Sequence, residues 1–147
     1  MGKVLPPVYF LLALATTVGL HFLWPVTSYL SRPWSLIGLL PLTIGISLNV
    51  VADREFKRHQ TTVKPFERSS ALVTAFPFSL SRNPMYLGVT LMLAGVALLL
   101  GTLSALLPAA AFPVPMDIRF VRMEERMLAD AFSSEWQSYC ARVRRWL

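Results

Sequence analysis

The sequence predicts an all-α integral membrane protein with about four transmembrane helices, a cytoplasmic loop and a C-terminal cytoplasmic amphipathic helix. Of its 147 residues, 54% are hydrophobic and only 15% are charged, which is too apolar for an ordinary soluble domain. Four stretches approach the roughly 20 residues needed to cross a bilayer and contain no Asp, Glu, Lys or Arg. The basic residues collect between and after these stretches.

The limits of the apolar stretches give the predicted spans. Trp24, Tyr29 and Trp34 would form an aromatic belt at the interface between the first two spans. Pro25 is expected to kink the outer end of the first span. We interpret residues 1–147 as one membrane-embedded domain, with predicted spans at 5–29, 34–52, 85–101 and 102–116.

The connections between the later spans predict two further features. The third and fourth spans meet at Gly101 and Thr102 with almost no linker, which predicts a tight helical hairpin. The fourth span contains several prolines, so we expect it to be kinked or to end early, as helices beside a membrane cavity often do. The second helix should continue beyond its span, through 53–60. The rest of the connection 53–84 is rich in apolar residues, and we expect it to fold back onto the membrane face.

The positions of the basic residues predict the orientation of the chain. With four spans, all but one of the fourteen Lys and Arg residues lie on one side of the membrane. The positive-inside rule makes that side cytoplasmic, together with both termini, the loop 53–84 and the tail 117–147. The net charge of +6 would suit contact with anionic membrane lipids. No nucleic-acid partner is predicted, because the basic residues flank spans and form no recognisable binding module.

Cysteine content and terminal signals predict little about the environment of the protein. Cys140 is the single cysteine, so neither an intrachain disulfide nor a multi-cysteine metal cluster can form. No metal site is predicted. We expect a bacterial inner membrane, because nothing resembles a retention signal and Arg145-Trp146-Leu147 is not a lipidation motif.

The tail carries two adjacent carboxylates whose environment is ambiguous. Residues 118–132 have helical periodicity, with a narrow polar face and an apolar remainder. Glu124 falls near the middle of the apolar arc and Glu125 at its edge. A buried carboxylate is costly without a partner, so one glutamate is either paired with a nearby arginine or reserved for a cationic ligand. The polar face consists of Arg119, Arg122, Arg126 and Asp130.

A motif before the predicted hairpin and a set of residues after it complete a pattern. The motif is Arg82-Asn83-Pro84-Met85-Tyr86-Leu87-Gly88, and the later set is Glu124-Glu125, Leu128, Phe132, Tyr139, Val143 and Arg145. In this order and spacing, residues 61–147 resemble the isoprenylcysteine carboxyl methyltransferase family and the related phospholipid methyltransferases. The sequence departs from the family pattern at Phe76 and Ser133, where glycine is common, and at Arg144, where proline is common.

The resemblance implies an S-adenosylmethionine-dependent methyltransferase with a lipophilic small-molecule acceptor that enters from the bilayer. It implies a cofactor pocket between the hairpin 85–116 and the tail. Glu124 or Glu125 would meet the cofactor's ammonium, and Arg82 or Arg145 its carboxylate. The aromatic rings of the motif and tail would pack on its sulfonium or adenine. The implied catalytic residues are Arg82, Glu124 and Arg145; the implied cofactor contacts are Arg82, Asn83, Pro84, Tyr86, Leu87, Gly88, Glu124, Glu125 and Tyr139.

Three alternatives stay open from the sequence. An NADPH-dependent membrane reductase of the sterol-reductase type would share a related helical core, and a structural subunit would have no small-molecule pocket. A small transporter would need ionisable groups at bilayer depth, and the four predicted spans contain no acidic residue. The acceptor group (carboxylate, amine or thiol), the choice between Glu124 and Glu125, and the oligomeric state are also open.

Overall fold

The computed structural model describes residues 5–61 and 69–147. Within these ranges the regular secondary structure is helical apart from an isolated bridge between Ser28 and Thr102, which confirms the all-α class. A 3-10 turn, Trp34–Gly38, leads into the second helix, and a π turn, Asp117–Val121, precedes the last. The α-helices are α1 (Pro6–Leu23), α2 (Leu39–Arg58), α3 (Pro84–Leu100), α4 (Leu103–Ala111), α5 (Pro113–Met116) and α6 (Arg122–Arg142).

Within the described ranges, three helical segments are long and apolar enough to cross a membrane. They are Pro6–Leu23, Trp34–Arg58 and the run Leu103–Arg142. Helix α3 is also apolar but has only 17 residues. The prediction of an all-helical protein is therefore confirmed, and three to four of the described helices, where about four spans were predicted, are long and apolar enough to cross a membrane. The side of the membrane that each terminus faces stays a prediction.

The first helix ends before the residues that close the predicted span 5–29. Helix α1 ends at Leu23, and Trp24 has the non-helical dihedrals φ −145° and ψ 66°. The residue before a proline is disfavoured in helical geometry, so Pro25 ends the helix where a kink was expected. The connection that follows docks on the α3–α4 turn, where the amide of Tyr29 donates to the Gly101 carbonyl at 2.9 Å.

The proline-rich fourth segment does not end early. Helical dihedrals persist at the junctions, for example φ −57° and ψ −40° at Phe112. Prolines remove hydrogen-bond donors, and the chain accommodates this with the short α5 and the π turn, so the helical run continues into α6. Within α6, Ser133 is the residue with non-helical dihedrals (φ 35°, ψ −100°).

Helix α3 packs closely against α2 on one side and against α1 and α4 on the other. The α2–α3 contact depends on two glycine pairs, Gly38 with Gly95 and Gly45 with Gly88. A Cβ atom on Gly45 would overlap the Gly88 carbonyl oxygen, so only glycine allows the backbones to approach this closely.

The described part of the loop packs against one end of the helices. Val73 and Phe78 are buried against Ala52 of α2, with Phe56 and Met85 beside them. We name this end, formed by the C-terminus of α2, the N-terminus of α3, and α6, the basic end. Predictions that concern residues 62–68, including Val63 and Phe66, lie outside the described residues.

Candidate active site

A cavity of about 950 Å³ opens at the basic end, between α1, α2, α3 and α6. This volume lies at the upper end of the usual range for ligand sites. Asn49 of α2 and Met92 of α3 line its deep part. Met92 lies about two turns, or roughly 12 Å, beyond the start of α3. The cavity therefore extends from the polar end of the protein into its apolar bundle.

The motif before α3 is held against the C-terminal residues by hydrogen bonds to their backbone carbonyl oxygens. Asn83 is the N-cap of α3 and Pro84 occupies its first turn, a normal helix start. The Arg82 amide donates to the Arg144 carbonyl at 3.0 Å. The Ser81 hydroxyl donates to the Arg145 carbonyl at 3.1 Å. These contacts bring residues more than sixty positions apart to the same cavity wall.

Glu125 is buried and its charge is compensated by arginines. Arg145 donates to its Oε2 from Nε at 3.0 Å and from Nη2 at 2.7 Å. Arg82 Nε lies 3.6 Å from Oε1, and the side-chain amide nitrogen Nδ2 of Asn83 donates to the same oxygen at 3.4 Å. Hydrogen bonds to Glu125 raise the pKa of the Arg145 guanidinium above its usual value. Glu125 thus forms part of a closed ionic network.

Arg82 lines the cavity and retains capacity to bind an anionic group. Its Nη1 donates to Cys140 Sγ at 2.6 Å, and its guanidinium lies 5.6 Å from the Trp136 ring centre. Its Nε is buried and has no hydrogen-bond partner in the described part of the chain. A buried donor of this kind is costly unless it finds an acceptor.

Glu124 lines the same cavity and differs from its neighbour. Its Oε1 accepts a hydrogen bond of 2.7 Å from the Tyr86 hydroxyl. No Lys, Arg or His of residues 5–61 and 69–147 lies within ion-pair distance of it. Burial raises the pKa of Glu124 to about 7, although the Tyr86 hydrogen bond acts in the opposite direction. The cavity therefore contains one carboxylate without a cationic partner among the described residues.

Aromatic side chains form much of the polar end of the cavity. Tyr86 stacks on Phe120 with ring centres 6.3 Å apart. The Tyr139 hydroxyl donates to the Phe78 carbonyl at 2.6 Å, and burial raises the pKa of Tyr139. Because that hydroxyl is already bonded, Tyr139 offers its ring to the cavity rather than a proton.

Most of the residues that the sequence suggested as site residues line this cavity, but three do not. Arg145 lies behind Glu125 and contacts it from the far side. Leu87 and Gly88 are buried outside the cavity lining, and Gly88 packs on Gly45 of α2. The functional roles of all these residues, including Leu87 and Gly88, stay predictions. The lining members are Arg82, Asn83, Pro84, Tyr86, Glu124, Glu125 and Tyr139.

Sequence reasoning missed several residues of the cavity and its network. Asn49 is a polar amide within an apolar span, and that position was a usable signal. Asp117 lies 3.5 Å from Arg145, a contact that depends on the path of the C-terminal residues. The apolar lining residues Phe10, Met92 and Phe112 gave no signal, because a cavity-facing apolar side chain has the same composition as a lipid-facing one.

Comparison with known families bears on the chemistry of this cavity. A family model described as phospholipid methyltransferase matches residues 34–135. The match includes the motif 82–88 and both glutamates, and it leaves Tyr139 and Arg145 outside. Searches of curated proteins and of solved structures gave no match. Because the family match covers more than half of the chain, the protein belongs to the phospholipid methyltransferase family, a family of membrane methyltransferases.

Proposed function

We propose that this chain transfers a methyl group from S-adenosylmethionine to a lipophilic acceptor that enters the cavity from the bilayer. Family membership supports methyl transfer. The observation that carries the cofactor assignment is Glu124, a cavity carboxylate without a cationic partner in the described residues. A buried carboxylate of this kind is typical of a functional site, where the ligand supplies the missing charge.

The polar groups of the cavity match the groups of the cofactor. Glu124 would bind the ammonium and Arg82 the carboxylate of its methionine part, each through a charge-assisted hydrogen bond. Trp136 and Tyr139 offer ring faces on which a sulfonium or an adenine can pack. Arg145 is less suited to the carboxylate, because Glu125 and Asp117 already engage its guanidinium.

When bound, S-adenosylmethionine supplies an electrophilic methyl group on a positively charged sulfur, which leaves as a neutral thioether. The protein then has to align the acceptor atom with that methyl group and exclude water. Glu124 and Arg82 carry opposite charges and would hold the methionine part at its ammonium and its carboxylate, respectively. Phe10, Met92 and Phe112 provide apolar walls that keep water from the deep part of the cavity.

The acceptor is proposed to be an apolar molecule with a carboxylate, amine or thiol as the methylated group. The described residues that line the deep part of the cavity are apolar apart from Asn49, so a hydrocarbon chain can remain in a bilayer-like environment while its polar group reaches the basic end. We also propose a bacterial inner membrane location, with both termini in the cytoplasm.

The NADPH-dependent reductase is the less favoured alternative. NADPH carries three phosphate groups, and proteins bind such groups with several basic side chains. Arg82 is the one basic residue among the described residues that line the cavity. The charge of the described lining therefore suits a cofactor with one carboxylate better than one with several phosphates.

Calorimetric binding of S-adenosylhomocysteine to the detergent-purified protein tests the proposal without knowledge of the acceptor. We expect Glu124→Gln and Arg82→Ala each to weaken binding roughly tenfold or more, because each removes a hydrogen bond to a charged group. Glu135→Gln and Arg142→Ala are matched controls, since both residues are exposed on α6. Unchanged affinity in Glu124→Gln, or binding of NADPH in place of S-adenosylhomocysteine, would contradict the proposal.

A further inference from the structure

The helical run Leu103–Arg142 carries an exposed stripe that changes character along its length. Leu107, Val114 and Ile118 are 63%, 58% and 59% exposed and recur at helical spacing. The next exposed positions at that spacing are Arg122 and Arg126. A helix rises about 1.5 Å per residue, so Arg126 lies roughly 12 Å beyond Ile118. The stripe thus passes from side chains suited to hydrocarbon to guanidinium groups at the level of lipid headgroups.

A second cavity of about 460 Å³ lies where the stripe becomes basic. Arg122, Arg126 and Arg145 line it, and Glu125 is the one acidic residue of its described lining. Glu125 already accepts two hydrogen bonds from Arg145. Positive charge is therefore in excess at this cavity.

The two arginines of the stripe differ in their partners. Arg122 Nε donates to Asp117 Oδ2 at 2.7 Å. No carboxylate of the described residues lies within ion-pair distance of Arg126. Arg126 consequently keeps its full set of donors for an external anion, and a guanidinium can bind two phosphate oxygens at once.

We propose that this cleft binds the phosphate group of an anionic phospholipid whose acyl chains lie along Leu107, Val114 and Ile118. Arg126 makes the main contact and Arg122 assists it. The positive cleft explains a preference for an anionic lipid over a zwitterionic one. The apolar stripe explains a preference for a lipid over free phosphate, since phosphate alone would leave the stripe unused.

This lipid site is separate from the candidate active site. Glu125 and Trp136 line both cavities and form the wall between them. Arg122 and Arg126 line the second cavity and do not line the candidate active site. Loss of lipid binding in an Arg126 variant can therefore be distinguished from loss of S-adenosylhomocysteine binding, and the proposal does not depend on the identity of the methyl donor.

The test is calorimetric titration of the detergent-purified full chain with short-chain phosphatidylglycerol, phosphatidylcholine of the same chain length, and inorganic phosphate. We expect phosphatidylglycerol to bind most tightly. Arg126→Gln should weaken its binding roughly tenfold or more, because a hydrogen bond to a charged group is lost. Arg126→Lys, which keeps the charge but loses the two-pronged geometry, should weaken it by a smaller factor.

Arg142→Gln is the matched control, because Arg142 is exposed on the same helix but does not line the cleft. Retained phosphatidylglycerol binding in this variant, with weakened binding in both Arg126 variants, would support the site. Equal binding of the two lipids would overturn the proposal, as would an equal loss in Arg142→Gln and Arg126→Gln, which would indicate a diffuse basic surface. Equal affinity for inorganic phosphate would overturn the lipid as the source of the anion.

Discussion

Glu124 and Glu125 are neighbours in the chain, yet they lie in different electrostatic regions. Glu125 belongs to a closed network in which Arg145 donates two hydrogen bonds to it and Arg82 lies 3.6 Å away. Among the residues that the structure describes, Glu124 has only the neutral hydroxyl of Tyr86 as its hydrogen-bond partner. Successive residues of a helix point about 100° apart, so the Glu125 carboxylate reaches Arg82 and Arg145 while the Glu124 carboxylate reaches Tyr86.

The difference shows how a pair of identical residues can divide structural and functional work. Removal of one member of a buried ion pair leaves the other charge uncompensated, which is costly to the fold. An unpaired buried carboxylate instead weakens the folded state until a ligand supplies its partner. We therefore expect substitution of Glu125 to damage stability and substitution of Glu124 to damage cofactor binding.

Glu125→Gln should have the largest effect on the free energy of unfolding. It removes the one carboxylate of the described residues near Arg82 and leaves Arg145 with Asp117 alone at 3.5 Å, at an expected cost of about 2–4 kcal/mol. This cost is at the low end of what removal of one partner of a buried ion pair produces, because the Arg145 side chain is 37% exposed. Thermal unfolding of the purified protein measures the change, with the exposed Glu135→Gln as control. A Glu125→Gln variant that unfolds at the wild-type temperature would remove the distinction between the two glutamates.

At alkaline pH, Glu124→Gln should raise the free energy of unfolding, whereas Glu125→Gln lowers it. Burial raises the pKa of Glu124 from 4.5 to about 7 in the folded protein, so the folded state binds the proton more tightly. In the wild type, the stability that the protonated Glu124 side chain contributes is present at low pH and is lost as the pH rises through about 7. Glutamine stays neutral and lacks this loss.

Without ligand, the Glu124→Gln variant should therefore be more stable than wild type near pH 8, by an amount on the order of 2 kcal/mol, and close to it near pH 5. Unfolding temperatures measured across this pH range test the sign. A variant that is less stable than wild type throughout would show that Glu124, like Glu125, serves mainly to hold the fold together.

Tyr86→Phe should have the smallest effect and sharpens the account of Glu124. The lost 2.7 Å hydrogen bond lowers the pKa of Glu124 in the wild type, so its removal should raise that pKa further. Fewer molecules then carry the carboxylate at neutral pH, and S-adenosylhomocysteine binding should weaken roughly threefold. Tyr9→Phe removes the hydroxyl of another tyrosine whose ring packs on Phe120 and should leave the affinity unchanged. An equal loss in both variants would show that packing, not the hydrogen bond, is responsible.

The helices could be predicted from the sequence because lipid imposes a simple requirement on length and polarity. The start of α3 at Pro84 follows from the fixed geometry of proline at the first helical position. The end of the first span was predicted at residue 29, too late, because apolar composition continues through the non-helical connection that follows the end of α1 at Leu23. Local backbone restriction by Pro25 outweighed hydropathy there.

The site could be predicted in part. The order of the motif and the two glutamates indicated the residues that meet at the cavity. The sequence could not tell which glutamate is paired, because that depends on Arg145 returning from the C-terminus to Glu125. It also could not show that Gly88 serves the close approach of α2, since a motif glycine can serve a ligand or a neighbouring helix equally well.

The dissociation constant of S-adenosylhomocysteine, measured by calorimetry from about pH 6 to about pH 8, tests the role of Glu124 most directly. The ligand keeps its ammonium group in this range, while Glu124 gains its negative charge as the pH rises through about 7. Affinity should therefore increase with pH in the wild type and stay level in Glu124→Gln. A wild-type affinity that does not change with pH, or an equal increase in Glu124→Gln, would contradict the assignment of Glu124 as the partner of the cofactor's ammonium.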